Sequence, residues 1–128
     1  MRELTAHKLN GLNDALKIEV LDERASGGAN HLYQISYDNA KFGPDPQSMR
    51  QTVGISFQNG PIAEVGVNGI SGEVLLAIVI DRLQGFQSGQ YKCRENAVAL
   101  TKIEEALMWL QKRTRERLDR GVEGTTIV

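Results

Sequence analysis

Residues 85–125, GFQSGQYKCRENAVALTKIEEALMWLQKRTRERLDRGVEGT, decide how the second half of this 128-residue chain folds. A turn with glycine and serine separates the end of an apolar segment from a long stretch in which apolar residues recur at spacings of three and four. That period is typical of an amphipathic helix. Gly121 is expected to end the helix. The pattern predicts a helical hairpin with polar and aromatic groups at its turn and cations at its far end.

The two helices of this hairpin are predicted over residues 74–86 and 94–119. Ser71 is expected to cap the first, with Glu73 in its first turn. This helix is apolar nearly all round, so we expect more than one of its sides to be covered. Trp109 lies off the apolar seam of the second helix and is expected, like the first helix, to contact a partner chain. The seam consists of Ala97, Leu100, Ile103, Leu107, Leu110, Thr114 and Leu118.

The first half of the chain predicts an antiparallel β-sheet, because strand-like segments follow one another without an intervening helix. A Gly-rich turn at residues 22–28 joins the first two strands, and residues 38–50, with two of the three prolines, predict an exposed loop. The predicted strands cover residues 15–21, 30–37, 51–57 and 62–67. The expected fold class is α+β: an N-terminal antiparallel sheet followed by a C-terminal two-helix hairpin.

Length and composition predict one domain over residues 1–128, divided into a sheet region at 15–67, a hairpin at 71–121 and a tail at 122–128. The net charge of −1 argues against a general binder of nucleic acid or membrane surfaces. Cys93 is the one cysteine, and the spacing of the histidines matches no metal motif, so no metal site or cofactor is expected. The polar N-terminus and short apolar runs predict a cytoplasmic protein.

Three residues of the hairpin admit both a structural and a functional interpretation. Phe86, at a helix end beside the turn, is a core ring or a surface on which a base stacks, and residue type alone favours the core. Asn96 is a solvated polar residue or an amide that binds a ribose or base edge. Arg113 belongs to a solvated cationic stripe whose charge complements the helix dipole at its C-terminus, or it binds a phosphate or base.

Arg24, in the Gly-rich turn, and Arg117, on the same stripe as Arg113, admit the same two interpretations. No catalytic residue is expected. The adjacent carboxylates Glu104 and Glu105 diverge by about 100° on a helix, so they do not form an acid–base pair. No nucleophile elbow, phosphate-binding loop or dinucleotide fingerprint occurs in the sequence.

The chain resembles the first family of phage anti-Thoeris proteins, small sponges that sequester a cyclic ADP-ribose signal. The similar segments cover nearly the whole chain, and residues 38–51 are the least similar part. The hairpin is also similar to that of a second sponge family, which neutralises cyclic oligonucleotide signals. The segments are HKLNGLNDAL, EVLDE, GGANHLY, ISFQNGPIAEVGVNGI and, most specifically, GFQSG, CRENA, LTKIEEALMWLQKRT and RGVEGT.

This resemblance implies a non-enzymatic α+β protein that dimerises, forms a trimer of dimers in several members, and binds glycocyclic ADP-ribose without cleaving it. Some members also hold cyclic di- or trinucleotides at separate sites. The family's base-stacking phenylalanine matches Phe86, its polar asparagine matches Asn96, and a helix arginine matches Arg113. Chemistry adds three further candidates: Arg117 and Thr125 for the same ligand, and Arg24 for a second, cyclic-oligonucleotide site.

Helix geometry bears on how such a ligand is held. Asn96 and Arg113 are 17 positions apart, which is about 25 Å along one helix. One ligand touching both then requires a pocket between two subunits, with two such pockets in a C₂ dimer. The predicted function is sequestration of the signal in the cytoplasm of an infected bacterium, without membrane or nucleic-acid polymer partners. The alternatives are an enzyme that degrades the same signal and a small phage nucleic-acid-binding or structural protein.

Overall fold

The computed structural model describes residues 1–41 and 44–128. The chain divides into two compact units, Met1–Gly60 and Pro61–Val128. The first unit contains an antiparallel sheet and the second contains a pair of long helices. This confirms the predicted α+β class and the predicted order of sheet and hairpin.

The sheet of the first unit has four strands in the order β1-β2-β3-β4, and all neighbouring pairs are antiparallel. A short helix, α1 (Gly11–Ala15), lies between the first two strands in sequence. Asn10 begins this helix, because its side-chain oxygen accepts a hydrogen bond from the backbone N–H of Asn13 at 3.0 Å. The strands are β1 (Arg2–Leu4), β2 (Lys17–Val20), β3 (Leu32–Asp38) and β4 (Arg50–Ser56).

Apolar rows run across one face of this sheet. The register joins Ile18 to Ile35 and Ile35 to Val53, so branched side chains meet across the strands. The next row contains Val20 and Tyr33, and Val20 is 1% exposed. The side chains between these rows point to the opposite face because successive residues of a strand alternate. The alternation predicted for the first two strands is therefore confirmed in β2 and β3.

The prediction of a strand at residues 62–67 is wrong. Residues Ile62–Val65 form a short helix, α2, between Pro61 and Gly66. The fixed φ of proline suits the start of a helix, and Gly66 adopts φ +71°, a positive φ that glycine adopts readily and that ends the helix. The fourth strand is instead β1, a three-residue edge strand in the N-terminal segment for which no strand was predicted.

The predicted turn and loop lie between the observed strands. In the turn at residues 22–28, Gly27 and Gly28 have φ +74° and +81°, as expected for paired glycines. The loop predicted at residues 38–50 joins β3 to β4, and its described residues outside the strands are exposed or half-buried. Phe42 and Gly43 lie outside the described residues.

The two long helices of the second unit confirm the predicted hairpin. They are α3 (Gly72–Gln87) and α4 (Arg94–Asp119), and α4 has the predicted bounds. Ser71 caps α3 by accepting a hydrogen bond from Val74 N–H at 3.2 Å. At the end of α4, Gly121 has φ +72°, and its N–H bonds the carbonyl of Leu118, a left-handed ending that satisfies the last carbonyls.

Only part of the apolar surface of this hairpin is covered within the chain. In the middle of the α4 seam, Leu100, Ile103 and Leu107 are half-buried, whereas Leu118 is 60% exposed. On α3, Ile78 is 59% exposed. Trp109 is 61% exposed, which agrees with its predicted position off the seam. The hairpin therefore presents apolar side chains to its surroundings on both helices.

Candidate ligand-binding site of the hairpin

Two side-chain hydrogen bonds hold the turn of the hairpin. The amide oxygen of Gln87 accepts from Cys93 N–H at 3.0 Å, and the Gln87 amide nitrogen donates to the Cys93 carbonyl at 3.2 Å. Gln87 is the last residue of α3, and Cys93 is the residue that caps α4. These bonds fix the distance between the two helix ends, so the residues beside them are held in a defined arrangement.

Phe86 lies immediately before this pair of bonds, in the last turn of α3. Its ring is half-buried, and the guanidinium of Arg82 lies over it, with the guanidinium carbon 5.0 Å from the ring centroid. Arg82 precedes Phe86 by four residues, so the two side chains are neighbours on one helix face. The ring is neither fully buried in a core nor fully solvated, which suits a surface for stacking.

Asn96 lies in the first turn of α4, at the same end of the hairpin as Phe86. Its backbone N–H donates to the Cys93 sulfur at 3.4 Å, which is the N-cap interaction of this helix. In the described parts of the chain, the half-buried side-chain amide of Asn96 has no hydrogen-bond partner. A free amide at the same end of the hairpin as an aromatic ring is able to give and accept hydrogen bonds to a base or ribose.

Arg113 lies toward the opposite end of α4, and its side chain is exposed. Within residues 1–41 and 44–128 its guanidinium has no ion pair or hydrogen bond. The neighbouring cation differs, because the Lys112 ammonium binds Glu116 at 2.7 Å. This hydrogen bond lowers the pKa of the Glu116 carboxyl. Arg113 is therefore available to an anionic or planar ligand, whereas the charge of Lys112 is balanced locally.

Arg117 occupies a different environment, since it is buried and bound to the tail that follows α4. Its Nε donates to Glu123 at 3.1 Å, and its terminal nitrogens donate to three backbone carbonyls of the tail. These interactions use four of the five N–H groups of a guanidinium. The structure thus gives Arg117 a role in ordering the tail that the sequence did not predict. Its role in ligand binding stays a prediction. The three carbonyls belong to Val122, Thr125 and Ile127.

Thr125 lies in this tail and is half-buried. Its hydroxyl donates to the Val122 carbonyl and accepts from Ile127 N–H at 3.2 Å, so it stabilises the turn of the tail. Gly124 beside it has φ +80° and its carbonyl accepts from Ala63 N–H at 3.0 Å, which joins the tail to α2. Binding of a ligand by Thr125 also stays a prediction, and Arg117 controls where this threonine lies.

The candidate residues form two groups separated along α4. Phe86 and Asn96 lie near the turn, whereas Arg113 lies near the other end of an unbroken helix. The separation of Asn96 and Arg113 is about 25 Å for an α-helix. The structure of one chain thus brings Phe86 and Asn96 to the same end and does not bring Arg113 to them.

Arg24, the candidate for a second site, lies in the first unit and is exposed. It borders an open cavity of about 390 Å³ on the sheet side of the Gly-rich turn. Arg2 also lines this cavity, and its guanidinium donates to the buried Asn30 amide oxygen at 2.7 Å. The Asn30 amide nitrogen in turn donates to the Asp22 carbonyl at 2.7 Å. The complete lining is Met1, Arg2, Val20, Asp22, Glu23, Arg24 and Asn30.

Residues 1–41 and 44–128 contain no group of three or more His, Cys, Asp or Glu side chains arranged to hold a metal ion. Among the same residues, no helix combines the length and the apolar character that crossing a bilayer requires.

Sequence comparison assigns the hairpin to a known family. The family model for the Acb2/Tad1 hairpin domain matches residues 49–115, more than half of the chain. The match includes Phe86, Asn96 and Arg113, and it ends before Arg117 and Thr125.

A curated relative leads to the same assignment. The chain is 62% identical over 71 residues to the protein named Thoeris anti-defense 1 from Bacillus phage SBSphiJ7, an alignment that covers 56% of this chain and 50% of that protein. The chain therefore spans about half the length of the curated relative it matches. A family match over more than half of the sequence and an observed helical hairpin within it lead to one conclusion: this chain belongs to the Acb2/Tad1 hairpin-domain family.

Proposed function

We propose that this chain is a phage anti-defence protein that binds a cyclic ADP-ribose-type signal, glycocyclic ADP-ribose, and sequesters it without cleaving it. The observation that carries the proposal is the Acb2/Tad1 match over the segment that contains Phe86, Asn96 and Arg113. The relative named Thoeris anti-defense 1 supports a role against the Thoeris system. We propose that residues 1–128 act as one sponge domain in the cytoplasm of the infected bacterium.

The chemistry of the three matched residues suits capture of a nucleotide. The half-buried Phe86 ring offers a surface for a base, and the free Asn96 amide offers a donor and an acceptor. The unpaired Arg113 guanidinium offers a fork for a phosphate. None of these groups is a general base or a nucleophile at neutral pH. A site made of them is therefore suited to binding, and sequestration requires nothing beyond tight binding and sufficient protein.

The length of α4 supports a pocket between two subunits. Asn96 and Arg113 are too far apart on one straight helix for a dinucleotide-sized ligand to touch both. If two α4 helices pair antiparallel, Asn96 of one chain lies near Arg113 of the other, and C₂ symmetry creates two equal pockets. Exposed apolar side chains along the hairpin, including Ile78 and Trp109, supply a surface for such a dimer. The proposed assembly is a homodimer that associates further into a trimer of dimers.

A ligand-recovery experiment tests sequestration against its enzymatic alternative. The purified protein is mixed with glycocyclic ADP-ribose, free ligand is removed, and the protein is then heat-denatured. Sequestration predicts that chromatography of the supernatant recovers the intact ligand in stoichiometric amount. An altered nucleotide would identify an enzyme, and no retained ligand would refute the proposal. A DNA mobility shift that weakens with salt would instead favour the nucleic-acid-binding alternative.

We also propose a second site for cyclic di- or trinucleotides at the cavity beside Arg24. The support is the position of Arg24 and Arg2 on its wall, where two guanidinium groups are able to contact phosphates. Binding of a cyclic trinucleotide to protein already saturated with glycocyclic ADP-ribose is the expected result. Competition between the two ligands would refute separate sites, and Arg24→Ala should weaken the trinucleotide alone.

A further inference from the structure

We infer that Arg82 is a further ligand-binding residue of the hairpin, which contacts the phosphate of the nucleotide whose base stacks on Phe86. The inference rests on the proposed function and deepens it. Its starting point is the guanidinium of Arg82, which lies over the Phe86 ring with 5.0 Å between its central carbon and the ring centroid.

The position of Arg82 is fixed by its own helix. Arg82 and Phe86 are four residues apart on α3, so a straight helix keeps them adjacent whether or not a ligand is present. The attraction between a cation and the face of an aromatic ring further restricts the guanidinium. The hydrogen bonds between Gln87 and Cys93 hold the end of this helix. Arg82 is therefore pre-organised at the edge of the proposed site, which lowers the cost of ordering it on binding.

The charge of Arg82 is not balanced within the described chain. The side chain is exposed, and residues 1–41 and 44–128 give it no ion pair and no hydrogen bond. Three other cations of the second unit differ: Lys102 and Lys112 have carboxylate partners, and Arg117 donates four of its five N–H groups to the tail. Arg82 thus combines a fixed position with free donors, a combination that fits an anionic ligand.

The geometry also separates the roles of the two side chains. The guanidinium of Arg82 lies over the half-buried ring, and its N–H groups have no hydrogen-bond partner among the described residues. A base that stacks on the exposed part of the ring is therefore next to free donors. A ligand with a base and a pyrophosphate in one ring can then place the base against Phe86 and an anionic oxygen against Arg82. A charge-assisted bidentate contact is the expected interaction.

Three variants test this contact by calorimetric titration with glycocyclic ADP-ribose. Arg82→Gln should weaken binding by about 10-fold or more, because a charge-assisted contact is lost. It should also reduce the loss of affinity between low and high salt, since one screened charge pair is absent. Arg82→Lys keeps the charge without the planar fork and should recover both affinity and salt dependence in part. Arg115→Gln is the matched control, because Arg115 is an exposed helix arginine that lies about 200° around the axis of α4 from Arg113.

The outcomes separate this inference from the proposed function. Wild-type affinity in a folded Arg82→Gln variant would overturn the role of Arg82 while leaving sequestration intact. A loss of affinity with unchanged salt dependence and no recovery by lysine would also overturn it, because Arg82 would then only support the Phe86 ring. Failure of the wild-type protein to bind the ligand would refute the proposed function itself. Circular dichroism melting of each variant shows that it is folded before titration.

Discussion

Gln87 and Cys93 are joined by a reciprocal pair of hydrogen bonds that closes the turn between α3 and α4. The Gln87 side-chain amide takes the place of the backbone hydrogen bonds that would close a tighter turn. It joins the last residue of α3 to the residue that caps α4. Because Phe86 precedes Gln87 and Asn96 follows Cys93 by three residues, the same bonds set the distance between two candidate ligand contacts.

Gln87→Ala should therefore affect both stability and binding. Loss of the two bonds is expected to lower the free energy of unfolding by about 1 kcal/mol, since net hydrogen-bond contributions are modest. Ligand affinity should fall in parallel because Phe86 and Asn96 lose their fixed separation. Chemical denaturation and calorimetry measure the two effects. Gln90→Ala, an exposed residue of the same turn, is the control and should change neither.

Phe86→Ala should abolish effective capture of glycocyclic ADP-ribose in a protein that remains folded. A lost base stack costs about 1–3 kcal/mol of binding free energy. Phe86→Leu separates stacking from packing, because it keeps apolar volume but has no ring. Calorimetry should show weak binding by both variants. Unfolding of the alanine variant together with normal binding by the leucine variant would identify Phe86 as a core residue.

Mixed dimers test where the pocket lies. A heterodimer with Asn96→Ala on one chain and Arg113→Ala on the other has both lesions in one pocket if each pocket uses both chains. Titration should then show half the wild-type stoichiometry, with normal affinity at the remaining site. Two damaged sites and no intact one would mean that each pocket belongs to a single chain.

Arg117→Ala should release the tail that follows α4. The substitution removes the donors of three carbonyls and the partner of Glu123, so we expect a loss of about 3 kcal/mol in the free energy of unfolding. Hydrogen exchange should become faster at residues 121–128. Arg115→Ala, which removes an exposed guanidinium, should change stability by no more than about 0.5 kcal/mol. Slow exchange of the tail in Arg117→Ala would show that the buried arginine does not order it.

Asp22 should make the first unit sensitive to acid. Burial raises the pKa of this carboxyl. Hydrogen bonds from the His31 and Leu32 backbone and from Asn30 together lower it by more than burial raises it, so the net pKa lies below the ordinary 3.8. A depressed folded-state pKa stabilises the protein above the unfolded-state value, and this stabilisation is lost as the pH falls through the folded-state value. The stability difference between wild type and Asp22→Asn should therefore shrink in that range. A difference independent of pH would contradict this assignment.

The hairpin was predictable because its signals are local and agree with one another. The apolar period indicates the extent of α4, Ser71 indicates the start of α3, and Gly121 indicates the end of α4. The strand prediction for residues 62–67 failed because their apolar pattern is too short to distinguish a strand from a helix. Pro61 at the start and a positive φ at Gly66 favour one helical turn instead. The strand β1 has only three residues and depends on pairing with β2, which no local pattern reveals.

The candidate site was only partly predictable for a related reason. Residue type and family resemblance suggested Phe86, Asn96 and Arg113, whose positions follow from the helix pattern. The contact of Arg82 with Phe86 depends on side-chain rotamers, although the spacing of four residues made it possible. The environment of Arg117 depends on the tail, which folds back so that its backbone carbonyls accept hydrogen bonds from Arg117. No spacing of residues in the sequence indicates this conformation of the tail.

The continuity of α4 has a consequence for how this protein can change during evolution. Because α4 is one continuous helix, the number of residues between Asn96 and Arg113 sets both their distance along the axis and the angle between them around it. Insertion of one residue between them turns Arg113 by about 100° and moves it by about 1.5 Å relative to Asn96. Substitutions on the exposed face of this segment leave both quantities unchanged. Descendants of this gene should therefore vary freely in residue identity along the exposed face of α4, but its length should be inherited without insertions or deletions.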